Sequence, residues 1–170
     1  TEKRGKYKNL IIPCCSIETG ELSSYQTIYS NSDKPHMKGG KVSGSWFPFG
    51  STDTTIFFLF ESFVDALVAF NSMGKKVFCA SIFGASSFKT AINLIKTKYK
   101  KAELVFFCDG DEAGQRVYHA CEPIEGVSGY MSPDYGDGTK DAYNLWKNDP
   151  VRFANELQGI VNYLKVESFA

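Results

Sequence analysis

Apolar and polar residues follow two different rhythms along this chain. Residues 22–30, LSSYQTIYS, alternate apolar and polar at period two, as a half-buried strand does, and 9–14, NLIIPC, read as another strand. The turn from Ser16 to Glu21, with Gly20 near its end, joins them into a hairpin. A second turn, Asn31 to Pro35, leads into a Gly-rich, basic and aromatic stretch, 38–50, expected as a loop with a short strand. From residue 55 the rhythm changes. TIFFLF at 55–60 is a continuous apolar run, the pattern of a strand covered on both faces. Residues 62–73 fit a helix with Phe63, Ala66, Leu67 and Phe70 on one face, stopped by Gly74. A second buried strand is expected at 77–83. A helix over 88–99 follows the loop and cap at Gly84 to Ser87, turning Ala91, Ile92, Leu94 and Ile95 inward. LVFFC at 104–108 predicts a third strand and 112–121 a helix. Residues 126–131 read as a fourth strand, 133–138 as a loop and 141–148 as a short helix. Residues 150–164 form a last amphipathic helix with Pro150 in its first turn.

Strands alternating with helices at this spacing predict an α/β fold, a parallel sheet flanked by helices. Three parts are expected: a β-rich basic N-terminal subdomain at 1–50, an α/β domain at 51–150, and a C-terminal helix at 151–170 packing on the core. The chain has 170 residues, 43% apolar and 15% aromatic, enough for a real core. Its longest apolar runs are about five residues where a membrane span needs roughly 20, so no membrane partner is expected. No secretory signal opens the chain. Its first residue, Thr1, reads as the start of an excised or processed piece. The five cysteines are odd in number and lack a CxxC, which fits reduced buried thiols in a cytoplasmic protein better than disulfides or zinc.

The formal net charge is zero, from 19 basic and 19 acidic side chains. That neutrality is a cancellation. Residues 1–50 carry seven basic and four acidic side chains, net +3, and residues 51–150 carry ten and thirteen, net −3.

The acidic excess has a pattern. In an open parallel sheet, ligands bind beyond the carboxyl ends of the strands. Glu61 directly follows TIFFLF, and Asp109 directly follows LVFFC with Asp111 two residues on. Asp65 stands one helical turn after Glu61, and Asp141 opens the helix after the last strand. Taken singly, these have ordinary readings as a solvated helix face, a turn or an N-cap. Together they put several carboxylates on one edge, where they repel unless a cation shares the site. Carboxylate oxygens with room for water are the ligands of Mg2+ or Mn2+. With no His or Cys placed to join them, zinc is not expected in this segment. An EF-hand loop from Asp109 fails, because Ala113 and Ala120 fall where ligands are required. An aspartyl-phosphate phosphatase fails too, since the first strand of its sheet would carry the Asp pair that here comes two strands later.

The order apolar strand, Glu61-x-x-x-Asp65, apolar strand, Asp109-x-Asp111-x-x-Gly114, then Lys140-Asp141 resembles the Toprim domain of primases, topoisomerases, nucleases and recombination-repair proteins. Ile12-Pro13, the hairpin around Gly20, Gln26-x-Ile28 and the run from Lys38 to Phe47 look like the segment preceding Toprim in plasmid and phage primases and primase-helicases. The sequence departs from the family pattern at Ser62, where Gly is usual, and at Tyr143, where Asn or Asp is usual. A zinc-binding module and a phosphate loop are also missing from this segment.

The resemblance implies a metal-dependent DNA primase core that makes short RNA primers on single-stranded DNA in plasmid or phage replication. It implies catalytic and metal-binding roles for Glu61, Asp109 and Asp111, with Asp65 and Asp141 as supporting or second-metal positions. Arg4, Lys6, Lys8, Lys34, Lys38, Lys41 and Lys140 are the candidate cations for nucleotide and DNA. Trp46 is a candidate for base stacking, with an alternative place as an anchor under the sheet. The expected cofactor is Mg2+ or Mn2+. The expected partners are template DNA, nucleoside triphosphates and a replicative helicase, fused or separate. The alternatives are a Toprim nuclease or topoisomerase fragment, and a non-catalytic module that binds DNA or a partner.

Overall fold

The structure, a computed structural model, describes residues 9–29, 33–131 and 140–167. Its centre is the strand β4 (Ile56–Phe60), five residues buried on both faces. On one side it pairs in parallel with β5 (Phe78–Ser81). On the other it pairs in parallel with β6 (Glu103–Cys108), which in turn carries β7 (Val127–Met131). This half of the sheet is the expected parallel unit. Each crossover is a helix: α1 (Phe63–Ser72), α2 (Phe88–Lys98) and α3 (Glu112–Cys121).

The sheet does not stop at β5. Residues Ser45–Phe49, expected as a loop with a short strand, form β3 and pair antiparallel with β5. The hairpin of β1 (Leu10–Ser16) and β2 (Leu22–Ile28) extends the sheet beyond β3. The result is one mixed seven-stranded sheet of order β2-β1-β3-β5-β4-β6-β7. The joining of the β-rich N-terminal part to the parallel unit in one sheet has a simple cause. An edge strand such as β5 leaves a row of unpaired N–H and C=O groups, and β3 satisfies them.

Two cores lie on the two faces. One holds Phe57, Phe78, Leu104 and Phe106 of the sheet against Ala91, Ile92, Ile95 and Val117 of α2 and α3. The other packs Phe58, Phe60 and Val105 against α1, α4 (Ala142–Asn148) and α5 (Pro150–Glu167). Phe153, Leu157, Val161 and Leu164 form the buried stripe of α5 at helical period.

Helix α1 is rotated from its expected face. It buries Ala66, Val68 and Ala69, together with Asp65. The small residues let it approach the sheet closely. Its aromatic residues reach sideways instead, Phe63 to Phe47 (ring centroids 5.3 Å) and Phe70 to Phe49 (5.7 Å). All five cysteines are free, and four of them are buried. Among the described residues no helix is long and apolar enough to cross a membrane. The loop expected at 133–138 lies outside the described residues.

Candidate active site

Parallel pairing of β4 with β6 in the register Phe60↔Phe107 makes both strands end on the same edge. Neighbouring strands run about 4.8 Å apart; Glu61 stands level with Cys108, and Asp109 leaves the same edge one residue further on, both lining one crevice. Asp65 lies in the first turn of α1 and is only 5% exposed. Its burial has a structural reason. Ser62, the N-cap of α1, donates its hydroxyl to Asp65 Oδ2, and the backbone N–H of Tyr143 donates to Oδ1 at 2.8 Å. Asp65 therefore ties the start of α1 to the start of α4. Asp111 caps α3, accepting from the Gly114 N–H at 2.8 Å, and Asp141 caps α4, accepting from the Asn144 N–H at 2.7 Å. The Gly110 N–H donates to the Lys140 carbonyl at 2.7 Å, drawing the Asp109–Asp111 turn against the segment leading to Asp141.

Gly114 closes this turn by close approach. A Cβ there would sit 1.9 Å from the Asp109 carbonyl oxygen, so no other residue fits without moving the backbone that carries Asp109.

The carboxylates are electrostatically crowded. Burial, and then repulsion from Glu61, Asp65, Asp141 and Asp111, pushes Asp109 up to about 7. Glu61 is also raised, first by burial and then by Asp111 and Asp65, against the opposing pull of the Ala85 N–H and Lys34. Asp65 is raised by burial, with the Ser62 and Tyr143 hydrogen bonds acting the other way. Glu61, Asp65 and Asp109 line a crevice of about 10 Å3, room for roughly one water, walled by Phe60, Phe107 and Tyr130.

The donors here are all carboxylate oxygens, the chemistry of Mg2+ or Mn2+. Among the described residues, no three acidic, His or Cys side chains are grouped so as to hold a metal ion. What fits the ion is the donor type, since carboxylate oxygens are the ligands Mg2+ takes alongside its waters.

The basic candidates divide. Lys34 is the cation whose charge acts on both Glu61 and Asp65. It comes near because residues 33–37 run back along β2. The Thr27 and Met37 N–H groups bond to the Pro35 and Tyr25 carbonyls, and buried Gln26 donates to the Lys34 carbonyl. Lys38 lies on an exposed turn. Lys41 lines a polar pocket with Ser16, Ser23, Ser45 and Thr90, between the β1–β3 strands and α2. Lys140 is exposed and joins the site through its carbonyl. Arg4, Lys6 and Lys8 lie outside the described residues. Trp46 is a correction. It is 6% exposed and packs on Phe78 and Tyr99, with centroids 5.2 and 6.1 Å apart, so its ring is part of the core and closed to a base. Ser62 and Tyr143, set down in the sequence only as departures, prove to be the residues that hold Asp65.

The family model described as Toprim-like matches residues 58–128, the span from β4 through the Asp109–Asp111 turn into β7. Over most of its length the chain shares its fold with primase catalytic domains. It superposes on the primase fragment of the bacteriophage T7 primase-helicase protein with a TM-score of 0.66 at 18% identity, covering 88% of this chain and 62% of that one. For a DnaG primase catalytic domain bound to ssDNA the TM-score is 0.57 at 15% identity, over 83% and 49% of the two chains. For the RNA polymerase domain of Mycobacterium tuberculosis primase DnaG it is 0.57 at 17%, over 91% and 55%. The chain thus spans half to two thirds of these structures. No curated protein matches the sequence. Glu61 and Asp109 follow the ends of the first and third parallel strands in chain order.

Proposed function

We propose that this chain is the catalytic core of a DNA primase, joining nucleoside triphosphates into short RNA primers on single-stranded DNA in plasmid or phage replication. The observation that carries this reading is the meeting of Glu61, Asp109 and Asp111 on one sheet edge, in a chain with the fold of primase catalytic domains. In the reaction a 3′-oxygen attacks the α-phosphorus of a triphosphate and pyrophosphate departs. Bound Mg2+ or Mn2+ would supply charge neutralisation for both oxygens. Asp109 and Asp111 would hold the ion, and Asp65 and Asp141 fix the helix starts around them. Glu61 would either complete that set or, raised by burial, accept the proton of the 3′-hydroxyl instead. Lys34 meets the triphosphate, with Arg4 and Lys6 as further candidate cations. A replicative helicase, fused or separate, is the expected partner, and a reducing cytoplasm suits the free thiols.

Primer synthesis on a single-stranded template with Mg2+ or Mn2+ tests this, comparing the full-length protein with its Asp109→Ala variant. Metal-dependent synthesis that the variant loses is the expected result. Equal activity in the variant overturns the site, and cleavage of the template without synthesis replaces the primase reading with a nuclease.

A non-catalytic DNA-binding module is the second reading. The observation favouring it is that Asp65, Asp111 and Asp141 all accept backbone hydrogen bonds. Absence of Mn2+ binding by calorimetry at millimolar metal would decide for it.

A further inference from the structure

The edge of the sheet opposite the carboxylates carries its own concentration of charge. The loops 51–55, 74–77 and 98–103 meet there, at the starts of β4, β5 and β6. They contain five lysines, Lys75, Lys76, Lys98, Lys100 and Lys101, all exposed, against the two acids Asp53 and Glu103. Among the described residues ion pairs join Arg116 to Glu112 and Arg152 to Glu156, and none of the five lysines takes part in one. Lys98 is pinned in place by backbone, donating to the carbonyls of Ile17 (2.8 Å) and Glu18 (3.1 Å), which hold its ammonium without cancelling its charge.

The loops 51–55 and 98–103 form a cleft of about 360 Å3, lined by Lys98, Lys100 and Lys101, by Thr52 and Thr55, and by Tyr99. The Tyr99 ring packs on Phe57 and Trp46, with centroids 5.2 and 6.1 Å apart. Cations and hydroxyl donors around a packed aromatic ring form a surface for phosphodiester oxygens with a base beside them. An acidic protein segment would satisfy the lysines but would leave the ring and hydroxyls without use. Six residue steps along β4, at about 3.3 Å each, separate Thr55 from Glu61, so the two edges lie roughly 20 Å apart. A nucleotide in this cleft is therefore not the reacting one.

We infer that this lysine-lined cleft is a second binding site for single-stranded nucleic acid, holding the strand at a distance from the carboxylate edge. The inference rests on the reading of the chain as a nucleic-acid enzyme, but its test needs neither metal nor triphosphate. Binding of a fluorescent single-stranded oligonucleotide is measured by anisotropy over a range of salt. The proteins compared are the wild type, Lys100→Ala/Lys101→Ala, the charge-keeping Lys100→Arg/Lys101→Arg, and a charge-matched control, Lys147→Ala/Lys165→Ala, on exposed positions of α4 and α5.

The alanine pair in the cleft is expected to weaken binding about tenfold and to flatten the salt slope by roughly 1.4, two phosphate contacts at about 0.7 each on a single strand. The arginine pair and the control should keep the wild-type slope. Unchanged binding in Lys100→Ala/Lys101→Ala overturns the site, whatever acidic protein the edge then holds, and so does an equal loss in the control. Oligonucleotide binding through this edge by a protein that makes no primer leaves the cleft standing and sinks the primase reading. Primer synthesis with an unaltered salt slope does the reverse.

Discussion

At Asp109 the energetic cost of the site is concentrated. Its folded-state pKa of about 7 stands above the ordinary 3.8, so the folded protein binds this proton more tightly than the unfolded chain does. The stability that goes with it is fully present below about pH 4 and is lost as the pH rises through 7. Three pH units would correspond to about 4 kcal/mol. The side chain is partly open to solvent, and screening brings the expected effect to the order of 1–2 kcal/mol. Asp109→Asn should therefore match the wild type in thermal stability near pH 4 and exceed it by several degrees near pH 8 without metal. Parallel melting curves across that range check this. Gly114 is the other residue on which the site turns. Gly114→Ala drives a methyl into the Asp109 carbonyl, and a destabilisation of roughly 1–3 kcal/mol or more is expected. Weakened Mn2+ binding should accompany it, read by denaturant melts and by calorimetry.

At the scale of elements, the site is a set of helix starts arranged around two strand ends. Three of its five acids stand in first-turn or N-cap positions: Asp65 in α1, Asp111 at α3 and Asp141 at α4. Capping is a local property, and the sequence showed it at Asp111 and Asp141. Asp65 was legible as a neighbour of Glu61 at one helical turn. Its burial was not, because that depends on which face α1 turns to the sheet and on the Tyr143 N–H arriving from 78 residues away. The aromatic residues of α1 mislead here: they pack against β3, which the local pattern left mostly as loop. Ser62→Ala tests the arrangement. Loss of an N-cap alone costs about 1 kcal/mol. Loss of the donor that favours ionised Asp65 adds to it at neutral pH, so the decrement in chemical denaturation should be larger at pH 7 than at pH 4. An equal decrement at both would mean that Ser62 acts only as a cap.

At the scale of the whole molecule, the charge distribution is polar in a spatial sense. The carboxylates gather at one end of the parallel strands and at the other stand lysines in no ion pair among the described residues, and the formal sum of zero hides both. A cation at the carboxylate edge would bind the folded chain and not the unfolded one. Mg2+ or Mn2+ at 100 times its dissociation constant should thus stabilise the wild type by about 2.7 kcal/mol. Thermal shift against metal concentration reads this directly, and the gain should shrink sharply in Asp109→Asn.

The sequence by itself determined the buried strands β4 and β6, the helices between them, and the acids at their ends. Each of these is a statement about residues adjacent in the chain, and periodicity and capping act at that range. It also carried the Toprim-like order of motifs that the matched segment shows. Only the tertiary structure decided that β3 runs antiparallel onto β5, that Trp46 lies under the sheet, and that Lys34 reaches the carboxylates. It likewise decided that Gly110 joins Lys140. Those choices are made by closure of backbone hydrogen bonds and by packing between segments far apart in sequence. No local pattern records which distant partner will satisfy an open strand edge or fill a core.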